Sequence, residues 1–336
     1  MIIPLVIFRP YTDKFDFDSF NFQISYLYDD VWFANMVLEN QQSSSISVPA
    51  CKQPTRPWFA SNYSCSVVRF NCHRYNVSSV TDAHLEIIED LSVIALVFMH
   101  CPELRVPRHI QSFHNLLGID IFNSTIVQWD ESAAITNATH PILAYIIFVR
   151  VNMTALPDGV LNQLPDTATD FEITVSNLTT LPSDLHERWH PMSIFYFEHS
   201  PATEFPATLY YLQADDLSLI GTRIERLPEF ESGHGFFTLA MTHTPLRELP
   251  ASIGNLATIG FLNLGYTQLT RFPAWMETVS RTATKVYVHN TPFCASLSEE
   301  ERARSYGPDA VLTCSEDGDR VDGKYPLAVM APRREI

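Results

Sequence analysis

His186-Glu187-Arg188-Trp189-His190 has the form H-E-x-x-H, and it is the stretch of this chain best suited to catalysis. On an α-helix, histidines four positions apart share a face. They can hold Zn²⁺ while the glutamate serves as general base. The chemistry would be that of a zinc hydrolase, but the surroundings oppose it. Pro191 follows the second histidine directly and ends any helix there. No third ligand is evident. Leu185 and Trp189 take the inward positions of the segment, and His186 and Glu187 correspond to the outward Gly254 and Asn255 of a later segment. Phosphate-binding glycine loops, G-x-S-x-G and kinase patterns are absent, and the Asp317-Gly318-Asp319 and Asp322-Gly323 stretches lack the spacing of a calcium loop. The expectation is a protein that is not an enzyme, with no cofactor and no metal.

The elements that would hold such residues are set by a repeat. The pattern L-x-L-x-x-[ST]-x-L-x-x-L-P recurs every 22 to 27 residues. Its clearest copies are Leu217-Leu219-Thr222-Ile224-Leu227-Pro228, Leu239-Met241-Thr244-Leu246-Leu249-Pro250 and Leu262-Leu264-Thr267-Leu269-Phe272-Pro273. Upstream the register passes through Phe195, Phe171, Ile146 and Ile119 to Leu96, and downstream it reaches Val286, for about nine units. A fixed period of this length means a stacked array, because no single unit can bury its own apolar edge.

This pattern resembles the leucine-rich repeat family over roughly residues 65 to 315. The resemblance implies an α/β repeat solenoid, a right-handed superhelix. A parallel sheet would line its concave side, and short helices or 3-10 turns, such as one over 251–256, its convex side. The position of Thr222, Thr244 and Thr267 usually holds Asn or Cys in the family, where the side chain bonds the backbone between turns. A hydroxyl can also donate and accept there.

The resemblance also implies end caps. Residues 1–50 form a non-repeat segment, 51–80 an N-terminal cysteine cap, 81–293 the repeats, 294–315 a C-terminal cap and 316–336 a tail. Leucine-rich repeat ectodomains of the plant receptor type carry a capping pair like Cys65 and Cys72, and Cys294 and Cys314 resemble the family's C-terminal cap. Cys101 falls where the family keeps a buried thiol, and Cys51 has no assigned partner. Six reduced thiols in a cytosolic protein is the alternative. Six N-x-[ST] acceptors, at Asn62, Asn76, Asn123, Asn137, Asn152 and Asn177, favour a secreted or cell-surface glycoprotein. The first ten residues show no signal-peptide pattern, which opposes that reading.

The chain has 336 residues and a net charge of −16, so nucleic acid is a poor partner. Its longest apolar runs, such as 142–149, are too short to span a membrane. Side chains between and after the inward positions line one sheet face. Histidine and tyrosine are frequent among them, which suits a protein or peptide ligand. Sequons at or beside this face in the N-terminal half direct the expectation to Tyr196, Glu198, His199, Ile220, His243, Tyr266, Tyr287 and His289. The function expected is non-catalytic recognition by a receptor-like ectodomain, with an intracellular interaction scaffold as the alternative.

Overall fold

A computed structural model describes residues 50–55, 63–231, 235–283 and 285–316. The segment 1–49, Asn62 and the tail from 317 lie outside the described residues. Among the described residues thirteen strands join in one sheet: β1 (Cys51–Pro54), β2 (Cys65–Asn71), β3 (Ala95–Met99), β4 (Leu104–Arg105), β5 (Gly118–Gln128), β6 (Tyr145–Asn152), β7 (Asp170–Ser176), β8 (Ile194–Glu198), β9 (Asp216–Ser218), β10 (Thr238–Ala240), β11 (Phe261–Asn263), β12 (Lys285–Tyr287) and β13 (Leu312–Thr313). Among the described strands every pairing from β2 onward is parallel, and the β1–β2 pair is antiparallel.

The register follows the repeat without a slip. Leu96, Ile119, Ile146, Phe171, Phe195, Leu217, Leu239, Leu262 and Val286 stand opposite one another on successive strands. A slip of one residue would turn every apolar side chain out of the core, so the alternation itself holds the pairing. All nine of these side chains are buried. Val68 and Phe70 of β2 occupy the same inward columns, paired with Leu96 and Phe98. The parallel ladder thus includes one unit more than the sequence pattern reveals. Phe148, Phe171 and Phe195 form an aromatic spine through the middle of the core, with Trp189 closing on it from the far side. The array has the leucine-rich repeat architecture.

Three local expectations need correction. The hydroxyls of Thr222, Thr244, Thr267 and Thr291 donate to carbonyls three residues back in their own turn, at 2.7–2.8 Å, and not across turns. A hydroxyl committed to its own turn does not bridge to the next; Ser124, by contrast, accepts from the Cys101 N–H of the neighbouring turn. The single helical turn after Pro250 covers Leu256–Thr258, later than expected. Asn255 caps it by accepting from the Ala257 N–H, a role that Ala251 could not fill. The disulfides join Cys51 to Cys65, Cys72 to Cys101 and Cys294 to Cys314. Cys65 therefore meets β1 and not Cys72, while Cys101 is no free thiol. Cys72 and Cys101 end adjacent turns with their Cα atoms 4.9 Å apart, close enough to bridge.

From β3 to β12 one residue per repeat unit, within its strand or up to three residues beyond it, has positive φ: His100, Asn123, Arg150, Val175, His199, Gly221, His243, Tyr266 and Asn290, all between 44° and 68°. This left-handed step kinks the strand, and in β5, β6 and β7 the parallel pairing resumes beyond it. It keeps the amide N–H aimed at the next turn, as in His199 to Ile220 O and Tyr266 to His289 O. Val175 is the most strained member, since a β-branched side chain crowds the left-handed region by about 1–2 kcal/mol. Val175→Asn, which places there the residue found at 123 and 290, raises stability by about 1 kcal/mol. The urea midpoint measures it, and a midpoint that falls or stays put refutes the strain argument.

Candidate recognition face

The face of the sheet opposite the core carries three side-chain columns, set by the period of two along each strand. β8 contributes Tyr196 and Glu198 to it, β12 contributes Tyr287, and the extended or left-handed steps beyond the strands add His199, Ile220, His243, Tyr266 and His289. The structure thus brings the eight expected residues onto one face. It differs in their exposure. Only His243 is exposed; His199 and Tyr266 are half-buried, and Tyr196, Glu198, Ile220, Tyr287 and His289 are buried.

Lateral packing between turns accounts for part of this. The His289 ring lies against Gly265, where an added Cβ would sit 2.3 Å from its Nε2. The His199 ring lies against Gly221 in the same way. His243 stacks on Tyr266 at 4.2 Å, and Tyr266 meets His289 edge-on at 5.4 Å. The Tyr266 hydroxyl donates to Glu316 Oε1 at 2.7 Å, and the Asn290 amide donates to the same oxygen. The tyrosine hydrogen bond, above all, holds the Glu316 carboxyl below its usual range. Burial lowers the His289 imidazole, partly opposed by Glu316 and reinforced by His243. The C-terminal end of the face is thus a cluster of rings with one carboxylate at its edge.

Toward the N-terminal side the same face is acidic. Asp120, Asp170, Glu172 and Glu198 are buried, and Asp216 is half-buried. Ser218 donates to Glu198, and the Tyr196 hydroxyl reaches Asp216 at 3.3 Å. Burial raises the Asp120 carboxyl well above its ordinary value, and the Asp170 carboxylate raises it further. Sequence reasoning named only Glu198 of these as a site residue. Asp170 and Asp216 stand one column earlier than the columns read from the repeat. The register that aligns Tyr145 with Asp170, and Ile194 with Asp216, would have found them.

The two histidines of the H-E-x-x-H stretch do not lie on one helix. Its helical turn covers Leu185–Arg188 alone, and Trp189 is already extended at φ −103° and ψ 144°. His190 therefore leaves the helix face on which His186 lies. Its Nε2 and Nδ1 each sit 2.8 Å from a backbone carbonyl, of Pro165 and Pro191 respectively. His186 stacks on Tyr211, with its Nδ1 3.3 Å from the Thr208 hydroxyl. Among the described residues no group of three or more His, Cys, Asp or Glu side chains converges on a point that could hold a metal ion. No described helix is long and apolar enough to cross a membrane.

Of the sequon asparagines, Asn76, Asn123, Asn137, Asn152 and Asn177 are exposed, and Asn62 lies outside the described residues. Asn123 lies within hydrogen-bonding distance of His100, and Asn177 accepts from the Met153 N–H.

No protein-family model matches the sequence, and no curated protein matches it. Solved structures do align with it. A leucine-rich repeat protein of Leptospira interrogans is 17% identical, with a TM-score of 0.47 over 68% of this chain and 55% of the other, so the match spans about half of that protein. The leucine-rich repeat domain of the type III effector XopL is 16% identical, with a TM-score of 0.44 over 60% of this chain and 69% of that domain. The effector YopM of Yersinia pestis is 13% identical, with a TM-score of 0.37 over 64% of each chain. By its own repeat, its parallel register and its disulfide-joined ends, this chain is a leucine-rich repeat solenoid.

Proposed function

We propose that this protein recognises a protein or peptide ligand on the sheet face, without catalysis, as a secreted or cell-surface ectodomain. The observation that carries the proposal is the ring cluster of His243, Tyr266, Tyr287 and His289 at the C-terminal end of that face, where no sequon falls. Aromatic groups held rigidly by their neighbours lose little entropy on binding, and such anchors dominate recognition energetics. A random peptide display library panned against the full chain tests the reading. Selected peptides lose at least about tenfold in affinity on Tyr266→Ala, the scale of one lost aromatic anchor. Selected peptides that bind Tyr266→Ala and His243→Ala as they bind the parent chain overturn it.

The extracellular placement rests on the bonding of all six cysteines in pairs and on the exposed acceptor asparagines. Intact mass of the chain produced with a secretion signal in a eukaryotic host, alkylated without reduction, checks it. The expected result is glycan mass on Asn76, Asn123, Asn137, Asn152 or Asn177 and no alkylated cysteine. A bare chain with every cysteine alkylated supports an intracellular scaffold instead.

A further inference from the structure

We infer that the rim where β3, β5 and β6 begin docks a protein segment that carries aliphatic side chains beside lysines or arginines. It is a second surface, separate from the ring cluster of the sheet face.

The register sets its apolar part. Ile94 and Leu117 immediately precede Ala95 and Gly118, which are paired, so the two side chains are neighbours on adjacent turns. The Leu117 N–H donates to the Ile94 carbonyl, and the Ala144 N–H to that of Leu117. A second row runs beside the first. The Leu91 carbonyl accepts from the Asn115 side-chain amide at 2.7 Å, and Ile142 takes the place of Asn115 on the next turn. Leu91, Ile94, Leu117 and Ile142 are between 39% and 61% exposed. Single exposed apolar side chains are ordinary, but four grouped on three turns mark a contact surface. The repeat does not require them. Thr169, Ser193 and Asp215 fill the column of Ile94 and Leu117 on later turns.

Charge names the occupant. Leu91 also lines an open groove of about 770 Å³ with Asp82, Glu86, Glu89, Asp90 and Arg108. Four carboxylates thus face one arginine. Asp82 accepts from the His109 N–H, and Asp90 lies 2.9 Å from the His109 imidazole. The Glu86 and Glu89 carboxylates make no hydrogen bond or ion pair with a described residue. Aliphatic side chains bordered by uncompensated carboxylates fit a partner that is apolar and cationic at once. A second copy would bring a net charge of −16 to an acidic rim. Nucleic acid and anionic membrane are repelled in the same way.

A random peptide display library is panned against the full chain and, in parallel, against the Leu91→Ser, Leu117→Ser double variant. Both leucines are exposed, so the variant folds as the parent chain does, and circular dichroism with thermal unfolding checks it. Peptides selected on the parent should join Leu, Ile or Val to Lys or Arg, and should bind the variant at least about tenfold more weakly. Glu86→Gln with Glu89→Gln should weaken the same peptides about threefold or more and flatten their loss of affinity with added salt. Tyr266→Ala should leave them bound; their loss on it would place them on the sheet face and overturn the inference. Failure to select any peptide that distinguishes the parent from the leucine variant overturns it too. So do distinguishing peptides that lack Lys and Arg, or that ignore the glutamate substitutions. Sedimentation velocity should show no dimer that depends on Leu91 and Leu117. A parent dimer dissolved by the leucine substitutions would assign the rim to a second copy and overturn the basic partner.

Discussion

Replacing Phe171 with alanine lowers the stability of the repeat array by about 3–5 kcal/mol, the range for a buried phenylalanine whose cavity cannot collapse. Phe171 is 1% exposed and lies midway along the core. Its ring meets Phe148 edge-on at 5.5 Å, stacks with Phe195 at 5.9 Å and packs on Trp189 at 4.7 Å. Backbone ladders on both sides of β7 hold the neighbouring turns at a fixed spacing, so those turns cannot close the void. In a solenoid each unit contacts only its neighbours, and a weakened middle unit uncouples the two halves. Urea unfolding of Phe171→Ala followed by far-UV circular dichroism should show a lower midpoint and a broadened or two-phase transition. Glu187→Ala, on an exposed convex turn, should move the midpoint by less than about 0.5 kcal/mol. A loss below about 1 kcal/mol for Phe171→Ala would show that the spine is not what couples the turns.

The core and its register were legible because burial has a period. Alternation along each strand and a near-constant unit length leave one alignment, and Leu96 through Val286 obey it. The first parallel strand was harder to see, since Val68 and Phe70 are followed by Cys72 and not by the usual turn to Leu-Pro. Cysteine pairing depends on which turn two residues meet across. The 29-residue separation of Cys72 and Cys101, close to one unit, was a usable signal; the antiparallel meeting of β1 with β2 that joins Cys51 to Cys65 was not. The left-handed column also left a trace. Asn123, Gly221 and Asn290 tolerate positive φ, but His100, Arg150, Val175, His199, His243 and Tyr266 mask the pattern. On the sheet face opposite the core, the repeat register placed the rings. It could not show that they lean onto Gly221 and Gly265, because that depends on side-chain direction between turns.

Acid weakens this protein through one imidazole before most carboxylates titrate. His140 is fully buried, with Nε2 3.0 Å from the Ile110 carbonyl and Nδ1 2.8 Å from the Thr139 hydroxyl. Burial pushes its pKa down to about 4; His114 adds to the lowering, and the Ile110 carbonyl partly opposes it. An unfolded histidine titrates near 6.5. Between those values the unfolded chain binds a proton that the native protein refuses, so stability is full above about pH 6.5 and falls as the pH drops toward 4. The loss is about 3 kcal/mol. Asp120 acts in the opposite sense. Its raised carboxyl keeps a proton in the native protein that the unfolded chain has released, so its contribution is lost as pH rises from the ordinary aspartate range. Urea unfolding at pH 7, 5 and 4 separates the two. His140→Gln should lose about 3 kcal/mol less than the parent chain on acidification, and Asp120→Asn should lose more. Equal pH slopes for His140→Gln and the parent chain would mean that protonated His140 is accommodated within the fold, and the acid sensitivity would then belong to other groups.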